Sequence, residues 1–561
     1  MKGYNKIKIT LLFILFIFSI NSFSQFSKTH YIPPIGTQGQ GSGTPQIQYM
    51  YISTPNENPI DVIITPIGGD PITVSISNSN PYEYFIGNGN QTNFIALSED
   101  SGQTFNNKGF IVEGEDLVYV SARLFTSDAY YQAAGLVSKG LAALGTTFRV
   151  GTFENLGDDM SNSFLNFVTV LATEDNTTVN FSDFGNGVTV VNNAPINDVI
   201  LNSGESYLIA IKPGDNINNS DGLIGVLVES DKPIAVNSGS ITGSNANTTT
   251  DSNGQDAGID QIVPVERIGT EYIFVRGIGP DQIERPLIVA HEPNTEVYVN
   301  GTLEYTIAQA GEHWSVPSSF YGVSYDQYGQ GPDIGVSSNM YVETSKPVFA
   351  YQVIGGIRPG TEGPFGAGTG IPNQGLFFVP PINCQTPSIV NNIAAINKLG
   401  PDFAFGGVVT IVTETGSTVL INGNDISDFA GDVQPVNGNP LFETYTVEGL
   451  TGNVSIVSSS QVYVASFGAY DYATFGGYYS GFAYQPEIVL EEITVGSEGC
   501  IPNLELRLNS ISIFDQYQWY FNGEMIDGAI GNSFTPTEPG YYQISGAVDD
   551  CEGILLSDNI P

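Results

Sequence analysis

At 561 residues the chain exceeds what one hydrophobic core usually holds, so several domains are expected. Gly 65, Pro 32 and 11% aromatic against only 13% charged residues exclude a helical bundle and point to a β-rich, turn-rich protein. A net charge of −41 excludes nucleic acid and anionic membrane as partners, and three cysteines exclude a disulfide scaffold.

Residues 1–24 read as a signal peptide. Lys2, Lys6 and Lys8 form its basic start, Leu11 to Ile20 an apolar run too short to span a bilayer, and Ser22-Phe23-Ser24 a small-x-small cleavage site before Gln25. Removing those three lysines takes the charge from −41 to −44 and leaves no membrane span in the mature chain. The first cysteine is Cys384, so no lipid-attachment site follows the cut. The expected location is secreted or at the outer cell surface.

The mature chain repeats itself. Ser230-Asp231-Lys232-Pro233-Ile234-Ala235-Val236-Asn237 returns as Ser345-Lys346-Pro347-Val348-Phe349-Ala350-Tyr351-Gln352, with the prolines 114 residues apart. Gln461-Val462-Tyr463-Val464-Ala465-Ser466 follows at the same interval, and Asp116-Leu117-Val118-Tyr119-Val120-Ser121 lies 117 residues before Pro233. A fixed interval seen four times signals internal duplication. A proline suits the first residue of a strand, and the alternation after it suits a half-buried sheet.

A second element, His30-Tyr31-Ile32-Pro33-Pro34, returns as Ile262-Val263-Pro264-Val265, Phe378-Val379-Pro380-Pro381 and Ala483-Tyr484-Gln485-Pro486, handing the chain from one unit to the next. A third is a polar turn feeding a strand: Glu174-Asp175-Asn176-Thr177, Glu292-Pro293-Asn294-Thr295 and Glu414-Thr415-Gly416-Ser417. The best helical window, Ala133 to Leu144, is short and interrupted by Gly135 and Gly140.

These intervals predict an all-β protein of tandem β-sandwich-like units of about 115 residues each, at about 25–140, 141–264, 265–381 and 382–488. The alternative is a β-propeller built from the repeats, with the matching end strands closing a ring. No blade-sized sub-repeat is legible inside a unit. Gly355 to Gly375 and Ser238 to Gly258 are long loops of the kind that carry function.

After Glu487 the character changes. Cys500, Trp519 and Cys551 fall among short strands, an immunoglobulin-like pattern over 490–561. The expected disulfide is Cys500–Cys551, clamping that module's ends, with Cys384 reduced and buried.

The Ser-x-Lys-Pro repeat, followed by Asp260-Gln261-Ile262-Val263-Pro264 and then Gly269-Thr270-Glu271-Tyr272, resembles the IgGFc-binding protein N-terminal domain family, over roughly Phe26 to Ile488. The resemblance implies an exported, non-enzymatic binding protein. Ile259 and Ile268 stand where that family often has a histidine and a tryptophan, so immunoglobulin binding is not implied. The start of the mature chain and the terminal module resemble exported proteins of gliding bacteria. Those carry a sorting domain for type IX secretion, which is expected to lie beyond a chain cut short at Pro561.

Catalytic signatures are weak. His30, His291 and His313 are far apart in sequence, with no zinc spacing, and no Gly-x-Ser-x-Gly elbow occurs. No cofactor is expected. The ligand-contact candidates are tyrosines in Gly-rich runs, Tyr321, Tyr325, Tyr328, Tyr470, Tyr472, Tyr478 and Tyr479, whose rings offer rigid contact area at low entropy cost. Asp251, Asn253 and Asp256 form part of an oxygen-ligand loop that would suit calcium, with Asp260 as a backbone-satisfying carboxylate beyond it. The reading is a surface binding or adhesion protein, a semi-rigid array recognising an extracellular protein or glycan through loops. The alternatives are a carbohydrate-active enzyme and a purely structural stalk.

Overall fold

The computed structural model describes residues 27–39, 44–125, 132–156, 164–246, 255–323 except 278 and 280, 338–355, 375–401, 403–429, 433–470, 473–482, 487–492, 504–509, 514–548, 554–557 and 559–560. Those residues are strands, 3-10 turns and loops, and none of their helices is long and apolar enough to cross a membrane. The expected helical window splits into a strand, Ala133–Val137, and a 3-10 turn, Gly140–Ala143.

One topology recurs. In each of the first three modules a long strand runs through two layers: β1 (Phe110–Phe125), β3 (Leu227–Gly243) and β5 (Asn339–Ile354). The first half of β3 pairs with Gly145–Arg149 and Thr177–Ser182. Its second half pairs with Leu165–Ala172 and with β4 (Asp256–Ile262). β1 and β5 repeat this, with β2 (Ala133–Val137) and β6 (Gly375–Phe378) in the place of β4. In the fourth module the long strand is broken into β7 (Val454–Ser458) and β8 (Val462–Tyr470), and the two layers are separate sheets; β9 (Ala473–Tyr478) holds the place of β4. Each module is therefore a β-sandwich, and in the first three the two layers share one cornering strand.

The Ser-x-Lys-Pro motif is that corner. The register jumps so that Gly145 faces Ile234 while Thr147 faces Glu229, leaving 230–233 as a bulge; 344–347 bulge in the same way. Pro233 and Pro347 thus sit in the middle of strands rather than at their first residue. A bulge needs no ladder N–H there, which is why a proline is tolerated. The motif also fastens to the polar turn that recurs with it. Thr178 N donates to Asp231 Oδ1 (2.7 Å), Glu296 N to Ser345 Oγ (2.9 Å), Thr418 N to Ser459 Oγ (3.0 Å), and Asp61 N to Glu115 Oε2 (2.9 Å). Lys232 and Lys346 reach the carbonyls of Asp175 and Pro293 in the turns themselves. Asn176, Asn294 and Gly416 take positive φ there, a conformation that asparagine and glycine tolerate best.

The second layer is buried on both faces. Every residue of Leu165–Ala172 is buried, as is every residue of Leu287–Ala290, whereas Thr177–Ser182 alternates as a half-buried strand should. One face completes the module's own core; the other closes the core of the preceding module. Leu165, Phe167, Ile241 and Ile259 join the core of the first module, and Leu287, Val289, Phe349 and Tyr351 that of the second. Ala465 and Tyr478 join that of the third, and Leu117, Tyr119 and Val137 of the first module join that of the fourth. The four modules therefore close into a ring rather than an open array. The ring foreseen for a propeller is present, and its members are sandwiches. Burying one such large apolar side chain contributes about 1.5–3 kcal/mol, so parting two modules costs more than surface ion pairs can restore.

Phe23–Tyr484 is one compact unit and contains the ring. Gln485–Ser510 with Phe514–Pro561 makes another, in which two small sheets enclose Trp519. Trp519 is fully buried against Leu506, Phe534, Tyr542 and Ile544, and its Nε1 donates to Gly531 O (2.8 Å).

Candidate ligand-binding end of the ring

The strands β2, β4, β6 and β9 line the middle of the ring, each packed on the next, with β9 returning to β2. They run parallel. Gln132 Nε2 donates to Gln255 O near their starts (2.9 Å), and Lys139 Nζ reaches Asp260 beyond the end of β2 (2.8 Å). Likewise Gly258 abuts Leu376 while Phe378 N donates to Asp260 Oδ2 (2.8 Å), and Gly135 backs onto Gly476 while Val137 abuts Gly477. A glycine at these crossings lets two backbones approach where a Cβ would collide.

Each inner strand is the second arm of a hairpin whose first arm is the long strand, or β8 in the fourth module. Parallel inner strands therefore bring the described residues that flank all four hairpin connections, Phe125 and Gln132, Ala246 and Gln255, Gly355 and Gly375, Tyr470 and Ala473, to one end of the ring. The residues that flank them are tied together. Asn245 N donates to Gly355 O (3.1 Å), Phe125 packs on Phe403 (4.5 Å between rings), and Tyr470 lies against Phe405 (5.5 Å).

Among the described residues, Arg285, His313, Glu154 and Glu284 near this end are engaged within the protein. Arg285 donates to Glu154 and to Asn245 O, and His313 Nε2 lies 3.6 Å from Glu154 Oε1. Burial alone would raise the Glu154 carboxyl, but His313 and Arg285 hold it down at about 2. Burial pushes the Glu284 carboxyl up to about 7, although it accepts N–H groups from Gly277 (2.5 Å) and Gly279 (3.1 Å). Two carboxyls with diverging acidity resemble an acid–base pair, yet each is engaged by protein donors.

Of the tyrosines expected to touch a ligand, Tyr321, Tyr478 and Tyr479 are buried at 4%, 1% and 4% exposure, in the cores that join modules. That corrects the expectation for these three: Gly-rich surroundings marked close packing, not an open loop. Tyr470 is exposed, at the loop-bearing end. Tyr325, Tyr328 and Tyr472 lie outside the described residues, as do Asp251 and Asn253. Asp256 is fully buried at the start of β4, with Oδ1 accepting from Ala257 N (2.8 Å). Among the described residues no three His, Cys, Asp or Glu side chains gather as a metal set. Asp260 accepts the N–H groups of Gln261 and Phe378, together with the Lys139 ammonium.

Cys384 is exposed and disulfide-bonded, which corrects its expected reduced, buried state. The expected Cys500–Cys551 pair lies outside the described residues.

Sequence reasoning missed the basic residues. Arg123 is buried, donates to the carbonyls of Ala394 (2.8 Å), Ala395 (2.7 Å) and Lys398 (2.8 Å), and lies over the Tyr51 ring (4.0 Å). It thereby ties the first module to the fourth. The available signal was scarcity: with 17 Lys and Arg in the whole chain, one inside an apolar run such as Val118 to Phe125 needs a buried partner.

The family described as IgGFc binding protein matches residues 134–468. The chain belongs to that family. The matched stretch begins in β2 and ends in β8, so it takes in the second and third modules and most of the fourth. Among solved structures, the chain is similar to the central fibronectin-III array of RIM-binding protein (12% identity, TM-score 0.12, 53% of this chain and 96% of that one). It is also similar to trypsin-activated alpha-2-macroglobulin from Escherichia coli (9% identity, TM-score 0.12, 96% of this chain and 49% of that one). At these TM-scores neither likeness carries an argument. Comparison with curated proteins gives no match. Membership of the IgGFc-binding family agrees with an extracellular binding protein.

Proposed function

We propose that this IgGFc-binding family member is an exported, non-enzymatic binding protein that engages a protein or glycan on another surface through the loop-bearing end of its ring. The observation that carries the reading is the parallel packing of β2, β4, β6 and β9, which brings the strand ends flanking four hairpin connections to one end of the ring. Binding residues concentrate on loops held by a rigid scaffold, and two of these connections exceed the length that simple hairpins need. The engagement of Glu154 and Glu284 by arginine, histidine and backbone donors favours binding over glycosidase chemistry. The acidic balance favours a ligand that is neutral or basic where it touches the ring.

The test is a glycan and mucin array probed with residues 25–561, beside two variants in which 247–254 or 356–374 is replaced by Gly-Ser of equal length. The expected result is an unchanged melting temperature with loss of array signal in at least one variant. Full retention of signal in both would move the ligand away from this end. IgG Fc belongs on the same array, and signal for it would identify the partner as immunoglobulin despite Ile259 and Ile268.

A further inference from the structure

The side chains of Lys139 and Asp260 are each 0% exposed. Lys139 follows β2 and Asp260 lies on β4, so the pair spans the first and second modules. Lys139 Nζ is 2.8 Å from both carboxylate oxygens, so the carboxyl carbon between them is within reach of the amine once the side chain tilts out of the carboxylate plane. Both oxygens also hold backbone donors, Oδ1 from Gln261 N (2.8 Å) and Oδ2 from Phe378 N (2.8 Å). Lys139 cannot draw back, because its own N–H donates to Gln261 Oε1 (2.7 Å).

Burial lowers the Lys139 ammonium and raises the Asp260 carboxyl, in each case against the pull of the partner. Both shifts lead toward the neutral amine and the neutral acid. An amine fixed against a carboxyl, with N–H donors already on the oxygens where charge develops, has the parts of an acyl-transfer site in a dry interior.

We propose that Lys139 and Asp260 condense to an intramolecular amide that fastens the first module to the second. A proton passes from Nζ to the carboxylate, and the free amine attacks Cγ. The C–N bond forms and one C–O bond breaks. That oxygen leaves as water with the transferred proton and a second one from Nζ, while the other remains as the amide carbonyl on its backbone N–H. No oxidant, metal or co-reactant enters the balance.

The experiment is the intact mass of the purified chain 25–561, denatured and reduced, followed by peptide mapping. The expected mass is one water below the sequence value, with a branched peptide joining Lys139 to Asp260. Lys139→Arg keeps the ion pair but removes the amine nucleophile, and should restore the full sequence mass. A wild-type mass at the sequence value, or a lost water without the branched peptide, would overturn the proposal and leave a buried ion pair. If Lys139→Arg fails to fold, the wild-type measurement still decides.

Discussion

His30 shows how a single buried residue can set a pH limit. Its ring is fully buried, with Nδ1 3.0 Å from Ser138 Oγ and Nε2 3.0 Å from Val118 O. Burial lowers its pKa from 6.5 to about 4. The unfolded chain therefore takes up a proton near pH 6.5 and the folded chain only near 4, so His30 favours folding above that window and loses its contribution as pH falls through it. From pH 7 to pH 5 the loss is about 2 kcal/mol. Glu284, raised to about 7, contributes with the opposite sign over the same range, so the measurement is a difference. Urea unfolding of both proteins at the two pH values should show the wild type losing about 2 kcal/mol relative to His30→Gln between pH 7 and pH 5. Parallel changes in both proteins would remove His30 from the account. The same reasoning explains the tyrosines: a ring's exposure is a property of what packs on it, and Tyr478 and Tyr479 face neighbouring modules.

Among the elements, the inner strands carry the tightest constraint. A Cβ on Gly258 would lie 2.8 Å from Leu376 N and 2.7 Å from Phe153 Cζ, closer than packed atoms allow. Gly258→Ala should cost about 1–3 kcal/mol, the usual range for overpacking. Gly406→Ala, where the added carbon meets nothing nearer than Ala469 O at 3.6 Å, should be neutral or slightly stabilising. Thermal melts of the two variants test the ring geometry directly, and equal effects would contradict the close approach of β4 to β6. The long strands have a different constraint, since their corner residues must release ladder partners while holding the polar turn. The fourth module meets it without proline, by breaking the strand between Ser458 and Val462.

At the scale of the whole ring, the modules share their cores. Each of these core clusters draws side chains from at least two modules, and Leu117, Tyr119 and Val137 close the last onto the first. A module that cannot complete its own core has no independent folded state to populate. Calorimetry on residues 25–484 should therefore show one transition, with calorimetric and van't Hoff enthalpies equal. Several resolved transitions, one for each module, would mean that the shared faces contribute less than the cores within each sandwich.

Much of the architecture was legible in the chain. Strand type, the interval near 114 residues and the paired motifs follow from local chemistry: period-2 apolar runs, asparagine and glycine at turns, and a proline that removes a ladder donor. The family resemblance was readable for the same reason, because its motifs are the corner and the turn that hold each other. What the tertiary structure decided was everything that depends on which faces meet. A doubly buried strand and a half-buried one look alike when both are apolar, so neither the ring nor its direction could be read from periodicity. Glycine marks a loop and a close crossing equally well, which misplaced Tyr321, Tyr478 and Tyr479. Arg123 and the Lys139–Asp260 pair find partners more than 100 residues away and in a different module, and only the closed ring brings such groups within bonding distance.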